Sequence, residues 1–450
     1  MEHDHPHGDS TGCEICNKNI PFEISEDLME NLREGNAVVF AGAGISTENK
    51  LVFPYTFYED VCVDLGVKPS EGPSFPDLMS IYCNQPNGRP KLLRKIRDRF
   101  SYIDSFPELY KTATRFHREL STLFPVDTIV TTNWDDNFEK ECGAIPFVTA
   151  EDFTFSSVPG RKVFKIHGSV NSFGSLVATR EDYERCYENL SVGLLGSSLK
   201  LMLATKTVIY IGFSFTDDDF LRIHQILSAE MRGLRPQSYI VTLDKASDQR
   251  FREHGLLPIY TDGTYFVSEI KKKLVENGDM LADDRFDDIY DLLEEVLLLH
   301  SGLGQINLKK HPDAVYANSY QDGLIHALER ILKLRNTGYY SHRCKPRDTI
   351  LSYEDLQKEK RKAKRYHDVA YIEGYMNGLL FLLADDDMRE AIPLYYVMGH
   401  KSTIQDFKEY KKISRDSQRL HKGAYKFAEE LVAKKIGSGS LTFHHTPFLL

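Results

Sequence analysis

Four short stretches of the chain set polar and ionisable residues beside glycines. The first is Gly42-Ala43-Gly44 with Ser46. A chain that leaves a strand through glycines and enters a helix start aims several N–H groups at one spot, a ready site for the diphosphate of a nucleotide. The same turn also serves plain strand–helix packing. In the second stretch Thr132, Asn133, Asp135 and Asp136 follow a β-branched run, where the carboxyl end of a strand faces the ligand crevice of an open α/β sheet. Asp135 and Asp136 serve equally as N-cap and first-turn carboxylates. The third, His167-Gly168, exposes an imidazole at a strand tip to whatever occupies that crevice, although a structural histidine fits there too. In the fourth, Gly212-Phe213-Ser214 precedes Asp217, Asp218 and Asp219, acids whose ordinary work is capping, with Asp217 as N-cap.

Each stretch needs a strand before it. Residues 37–41 are apolar without alternation, as in a parallel strand buried on both faces. Residues 128–131, 163–166, 207–216 and 238–243 repeat the design, and 257–274 adds a short strand and a closing helix. Between them the pattern predicts helices. Ser25 caps one that carries Leu28, Met29 and Leu32 on one face and stops at Gly35. Phe57, Val61 and Leu65 mark another beyond Pro54, placed to lie over the glycine turn as a lid. Residues 69–88, rich in Pro, Gly and Ser, read as surface loop. Helical runs follow at 91–100, 107–123 and 183–203, and a further helix carries Phe220, Ile223, Ile226 and Leu227. The basic face of 91–100 suits solvent, or contact with a phosphate or a nucleic acid. The sum is an α/β protein with a doubly wound, mostly parallel, Rossmann-like sheet and one shared crevice.

From about residue 280 the grammar changes to helix alone. Residues 283–300 place Ile289, Leu292, Leu293, Val296 and Leu297 inward, and 320–334, 353–376, 388–398 and 404–434 also favour helix. No repeat is visible, which favours a bundle over a solenoid. The expected organisation is a leader over 1–24, a nucleotide-binding domain over 25–278, a helical C-terminal domain over 279–436, and a flexible tail over 437–450 whose apolar, aromatic end docks. In the leader, His3, His5, His7, Cys13 and Cys16 fall short of a closed zinc site, since no second ligand pair lies near in sequence.

The 450 residues, 41% hydrophobic and 27% charged, suit two or three globular domains. No apolar run approaches the ~20 residues of a membrane span, and the polar, acidic start is unlike a signal peptide. Seven cysteines, an odd number, fit a reducing compartment, so the cytoplasm is expected. A net charge of −10 speaks against nucleic-acid binding by the surface as a whole.

GAGIS at 42–46, TTNWD at 131–135, HG at 167–168 and GFSF at 212–215, in that order, resemble the sirtuin superfamily over roughly residues 25–275. The resemblance implies NAD as substrate, with its diphosphate on Gly42, Ala43, Gly44 and Ser46 and its adenosine ribose near Gly212 and Ser214. It implies that Asn133, next to Thr132, orients the nicotinamide ribose and the attacking oxygen, that Asp135 grips the carboxamide, and that His167 is the base. Protein-deacetylating sirtuins carry two C-x-x-C pairs for zinc after the HG motif. Here only Cys186 lies between His167 and Gly212, so no metal is expected. Those departures resemble the bacterial sirtuin-like NAD hydrolases of antiphage defence, which release nicotinamide and ADP-ribose. The alternatives are a zinc-less deacylase or ADP-ribosyltransferase, and a non-catalytic NAD or ADP-ribose sensor. The helical domain does not resemble the α/β sensor of Thoeris-type effectors, and control is expected through homo-oligomer assembly or a partner such as a hexameric translocase-type ATPase or an Argonaute.

Overall fold

The strand Ala37–Ala41 (β1) is buried at all five positions, as its unbroken apolar run requires. A computed structural model describes residues 16–46, 51–213, 218–229, 236–415, 421–437 and 443–448. Around β1 lie Thr128–Thr131 (β2), Ile145–Phe147 (β3), Lys162–Lys165 (β4), Thr207–Ile211 (β5), Ser238–Thr242 (β6) and Leu256–Tyr260 (β7). They form one sheet in the order β3-β4-β2-β1-β5-β6-β7, every pairing parallel. The chain leaves β1 toward β2 and later crosses to β5 on the opposite side, so the direction of winding reverses beside β1. Loops part there, at the carboxyl edge, and leave a crevice. This is the doubly wound, parallel sheet expected from the sequence.

The flanking helices are α1 (Glu26–Arg33), α2 (Phe57–Leu65), α3 (Phe75–Cys83), α4 (Gly88–Ser105), α5 (Pro107–Ala113), α6 (Arg115–Ser121), α7 (Asn137–Cys142), α8 (Arg180–Val192), α9 (Leu194–Thr205), α10 (Asp218–Ser228), α11 (Asp248–Glu253) and α12 (Gly263–Glu276). The Ser25 hydroxyl accepts from the Leu28 N–H, and Leu28, Met29 and Leu32 are buried. Three departures from the pattern have local causes. The expected loop at 69–88 contains α3, because Pro76 sits in the first turn, where its missing N–H costs nothing. The run 183–203 is broken at Gly193 into α8 and α9. The strand expected over 207–216 stops at Ile211, because Gly212 turns the chain with φ +78°. Strand β3, not anticipated, is a three-residue edge strand whose centre is Pro146, a position an edge tolerates.

A second unit begins at Asn277, after the first ends at Glu276. Its helices include α13 (Arg285–Leu303), α14 (Ala314–Leu334), α15 (Cys344–Lys362) and α16 (Tyr366–Leu383), and among its described residues there is no strand. Helices α14 and α16 cross so closely that a Cβ on Gly323 would strike the Tyr371 carbonyl, and one on Gly374 the Tyr320 carbonyl. The expected helix over 353–376 breaks at Lys364, φ 56°. Leu297, expected inward, is 45% exposed, because α13 turns the stripe of Phe286, Ile289, Leu292, Val296 and Leu303 to the core. Only Asp386–Arg389 is helical within 388–398 and its surroundings, as Pro393 cannot continue a helix. Phe443 and His445 of the C-terminal segment are buried, and Phe448 meets the Tyr371 ring edge-on. Among the described residues no helix is long and apolar enough to cross a membrane.

Candidate active site

Glycines stitch the tips of β1 and β5. Gly42 N–H donates to the Ile211 carbonyl at 2.8 Å and Gly44 N–H to the Gly212 carbonyl at 3.0 Å. A Cβ on Gly42 would stand 2.6 Å from the Gly212 oxygen and 2.7 Å from the Phe213 ring, so any other residue would force the strands apart. The turn opens onto a single 3-10 turn, Ala43–Ile45, rather than the helix start expected from sequence.

Behind this bridge lies a buried polar network. Ser46 is fully buried; its Oγ donates to Asp135 Oδ2 at 3.1 Å and accepts from Asn133 Nδ2 at 3.3 Å. Thr131, at the end of β2, donates its hydroxyl to the Ala41 carbonyl and accepts the Asn133 N–H. Asp135 Oδ1 accepts the Asn137 N–H at 3.2 Å, so this carboxylate both starts α7 and enters the network. Asp136 is the N-cap residue and pairs with Lys140 at 2.8 Å, an ordinary structural role. Lys165, buried at the end of β4, donates to the Asp135 carbonyl and pairs with Glu139 at 3.0 Å. Burial pushes the Glu139 carboxyl up, against the pull of Lys165. Asn133 Oδ1 is buried and has no hydrogen-bond partner among the described residues, an acceptor held in reserve.

His167, at the tip of β4, is buried and packs edge-on against Tyr183 with centroids 5.1 Å apart. Its Nε2 lies 3.3 Å from Asp219 Oδ2, and the Tyr187 hydroxyl donates to Asp219 Oδ1 at 2.8 Å. Burial and Asp219 both drive the Tyr187 phenol upward, so it stays a donor.

A cavity of about 690 Å³ opens here, within the range of ligand sites. Thr132, Asn133, Asp135, His167 and Asp219 stand on a polar wall, Trp134, Phe57 and Phe75 on an apolar one, and Ala43 also borders the cavity. A second cavity of about 270 Å³ lies over the tips of β5, β6 and β7, bounded by Gly44, Gly212, Thr242 and the Arg115–Asp262 ion pair. Ala43 borders one cavity and its neighbour Gly44 the other, so the glycine bridge stands between them.

Of the residues singled out by sequence, Thr132, Asn133, Asp135, His167 and Ala43 thus meet in one cavity, and Gly44 and Gly212 in the other. Gly42 and Ser46 border neither; Gly42 joins the strands and Ser46 holds Asn133 and Asp135. Ser214 lies outside the described residues, as do His3, His5, His7 and Cys13. Sequence reasoning missed Tyr183 and Tyr187, whose i, i+4 spacing on α8 does put them on one face. It also assigned Asp219 to capping.

Residues 127–259 match the family model of a SIR2-like domain. That span contains β2 to β6 and most of β7, with Asn133, Asp135, His167 and Asp219. Three relatives align with longer stretches of the chain. An NAD(+) hydrolase ThsA of Enterococcus faecium is 33% identical over 281 residues, 59% of this chain and 56% of its own length. An NAD(+) hydrolase ThsA of Cytobacillus dafuensis is 26% identical over 294 residues, 61% of this chain and 55% of its own. A Defense-associated sirtuin 2 of Bacillus subtilis is 22% identical over 287 residues, 62% of this chain and 27% of its own. The chain thus spans about half the length of the curated NAD(+) hydrolases it matches.

Proposed function

We propose that the first unit is an NAD+ glycohydrolase, converting NAD+ and water to nicotinamide, ADP-ribose and a proton. The observation that carries this reading is the pair of cavities on either side of the glycine bridge, with an amide oxygen unpartnered among the described residues and an imidazole in the larger one. A dinucleotide suits that shape: adenosine over β5 to β7, diphosphate against the backbone of Gly42-Ala43-Gly44, and nicotinamide ribose in the larger cavity. The bond to nicotinamide breaks through a cationic, oxocarbenium-like state, which asks the protein for positioning and electrostatics above all. Asn133 Oδ1 accepts a hydrogen bond from the attacking water. Asp135 keeps lone pairs for the carboxamide N–H. His167, backed by Asp219, takes up a proton. No acyl-lysine is required, and water is the acceptor.

The reading extends to a role in antiphage defence by NAD depletion, in keeping with relatives named NAD(+) hydrolase ThsA and Defense-associated sirtuin 2. Because constant NAD hydrolysis would harm the cell, the helical unit is the regulatory part, acting in the cytoplasm through homo-oligomer assembly or a partner protein such as an ATPase. The test is nicotinamide release from NAD+ by wild type, Asn133→Ala and His167→Ala, alone and with lysate from infected cells. Both variants are expected to lose about 10²- to 10⁴-fold in rate while NAD+ still binds. Release that survives both substitutions, or a wild type that binds NAD+ and never releases nicotinamide, overturns the reading.

A further inference from the structure

The second unit contains a cluster of titratable side chains for which the NAD chemistry has no use. His444 and His445, adjacent in the C-terminal segment, reach two buried carboxylates: Asp322 on α14 and Asp368 on α16. The carboxylates differ in how their charge is met. Arg365 Nε stands 2.7 Å from Asp368 Oδ2. Among the described residues no lysine or arginine pairs with Asp322. Its Oδ2 accepts the His445 backbone N–H at 2.6 Å, and its Oδ1 faces His300 Nε2 at 3.3 Å and His444 Nδ1 at 3.4 Å. A buried carboxylate calls for a positive charge close by.

The hydrogen bonds behind His300 say what kind of charge fits. Gln321 Nε2 donates to the Leu394 carbonyl at 2.8 Å, which turns Gln321 Oε1 toward His300 Nδ1 at 3.2 Å. With Nδ1–H donating to that oxygen, an uncharged His300 presents the Nε2 lone pair to a carboxylate lone pair. Such an arrangement repels unless a proton or a metal ion lies between them. It is also the arrangement by which proteins orient a metal-binding imidazole through its other nitrogen. The spacing agrees: charge-assisted N–H···O bonds run about 2.7–2.9 Å, whereas a tetrahedron with bonds of about 2.1 Å has edges of about 3.4 Å. The three ligand atoms all lie within 4.8 Å of one another.

We propose that His300, Asp322 and His444 bind a divalent ion of the zinc class, with two imidazole nitrogens, one carboxylate oxygen and a water as ligands. The ion fastens the segment 443–448 to α13 and α14. His444, with 64% of its side chain exposed, leaves the ion a path of entry. This proposal stands independently of the NAD+ reading.

The experiment strips the full chain with a chelator, dialyses it against Co2+ or Zn2+, and measures bound metal and melting temperature. His444→Ala, on an exposed side chain, leaves folding undisturbed; His300→Ala is the second variant. Wild type is expected to retain one equivalent more metal than either variant, to show the visible bands of tetrahedral cobalt, and to gain in melting temperature with Zn2+ where the variants do not. Equal metal content and equal thermal response in wild type and both variants would overturn the proposal. Any ion held would then belong elsewhere, the leader's His3, His5, His7, Cys13 and Cys16 included, and Asp322 would be balanced by an imidazolium.

Discussion

Ser46→Ala isolates what the buried network contributes. The hydroxyl bonds to Asp135 at 3.1 Å and to Asn133 at 3.3 Å from a position closed to solvent and outside both cavities. Its removal deletes a hydrogen bond to a carboxylate, about 1.5–3 kcal/mol, and one between neutral groups, about 0.5–1.5 kcal/mol. A total near 2–4 kcal/mol, at roughly 2–4 °C per kcal/mol for a domain of this size, lowers the melting temperature of the first unit by roughly 5–15 °C. Activity falls for a separate reason. Asn133 and Asp135 are freed to change rotamer, and each must be ordered again in the transition state at about 0.5–1.5 kcal/mol per side chain. The two together amount to about 1–3 kcal/mol, or about 5- to 150-fold in kcat/KM. The assay is nicotinamide release under kcat/KM conditions beside a thermal melt. A variant that melts lower but keeps kcat/KM within about twofold of wild type would show that Ser46 is only a strut, and would refute the claim that it positions the reacting residues.

Two further outcomes follow from backbone and burial. Gly212→Ala meets Ile45 Cγ2 at 2.7 Å and the Gly42 oxygen at 3.0 Å at a φ of +78°. About 1–2 kcal/mol for the left-handed backbone and about 1–3 for the clash should lower stability and abolish the rise in melting temperature caused by NAD+; an intact NAD+ response would count against the bridge as the diphosphate site. Burial lowers the His117 pKa from 6.5 to about 4. Between those values the unfolded chain binds more protons than the folded one, so stability is lost as pH falls from 6.5 toward 4, by about 3 kcal/mol in all, and is unaffected above that window. Chemical denaturation of wild type and His117→Phe at pH 7 and pH 5 checks this, since the variant should lose the His117 share of that pH dependence.

The parts of the site that the sequence announces are those whose partners are close along the chain. Gly42 and Gly44 follow an apolar strand, and Thr132, Asn133 and Asp135 follow a β-branched one, so periodicity alone puts them at a sheet edge. Helix limits were harder, because Gly193, Lys364 and Pro76 act through single backbone angles that a hydrophobic pattern does not register. Harder still were residues with distant partners. Lys165 reads as a polar position in a short strand, yet it is buried against Glu139. Asp219 reads as a cap, yet it faces His167. For Asp219 the deciding argument was available. In an all-parallel sheet every carboxyl end lies on the same edge, so the residue that opens the helix after β5 shares a crevice with the residue that closes β4. Capping and ligand contact at such a position differ by one side-chain rotamer, which spacing does not specify. An acid at the start of a helix following a strand of a doubly wound sheet is therefore a site candidate on topology alone, before any pairing is seen.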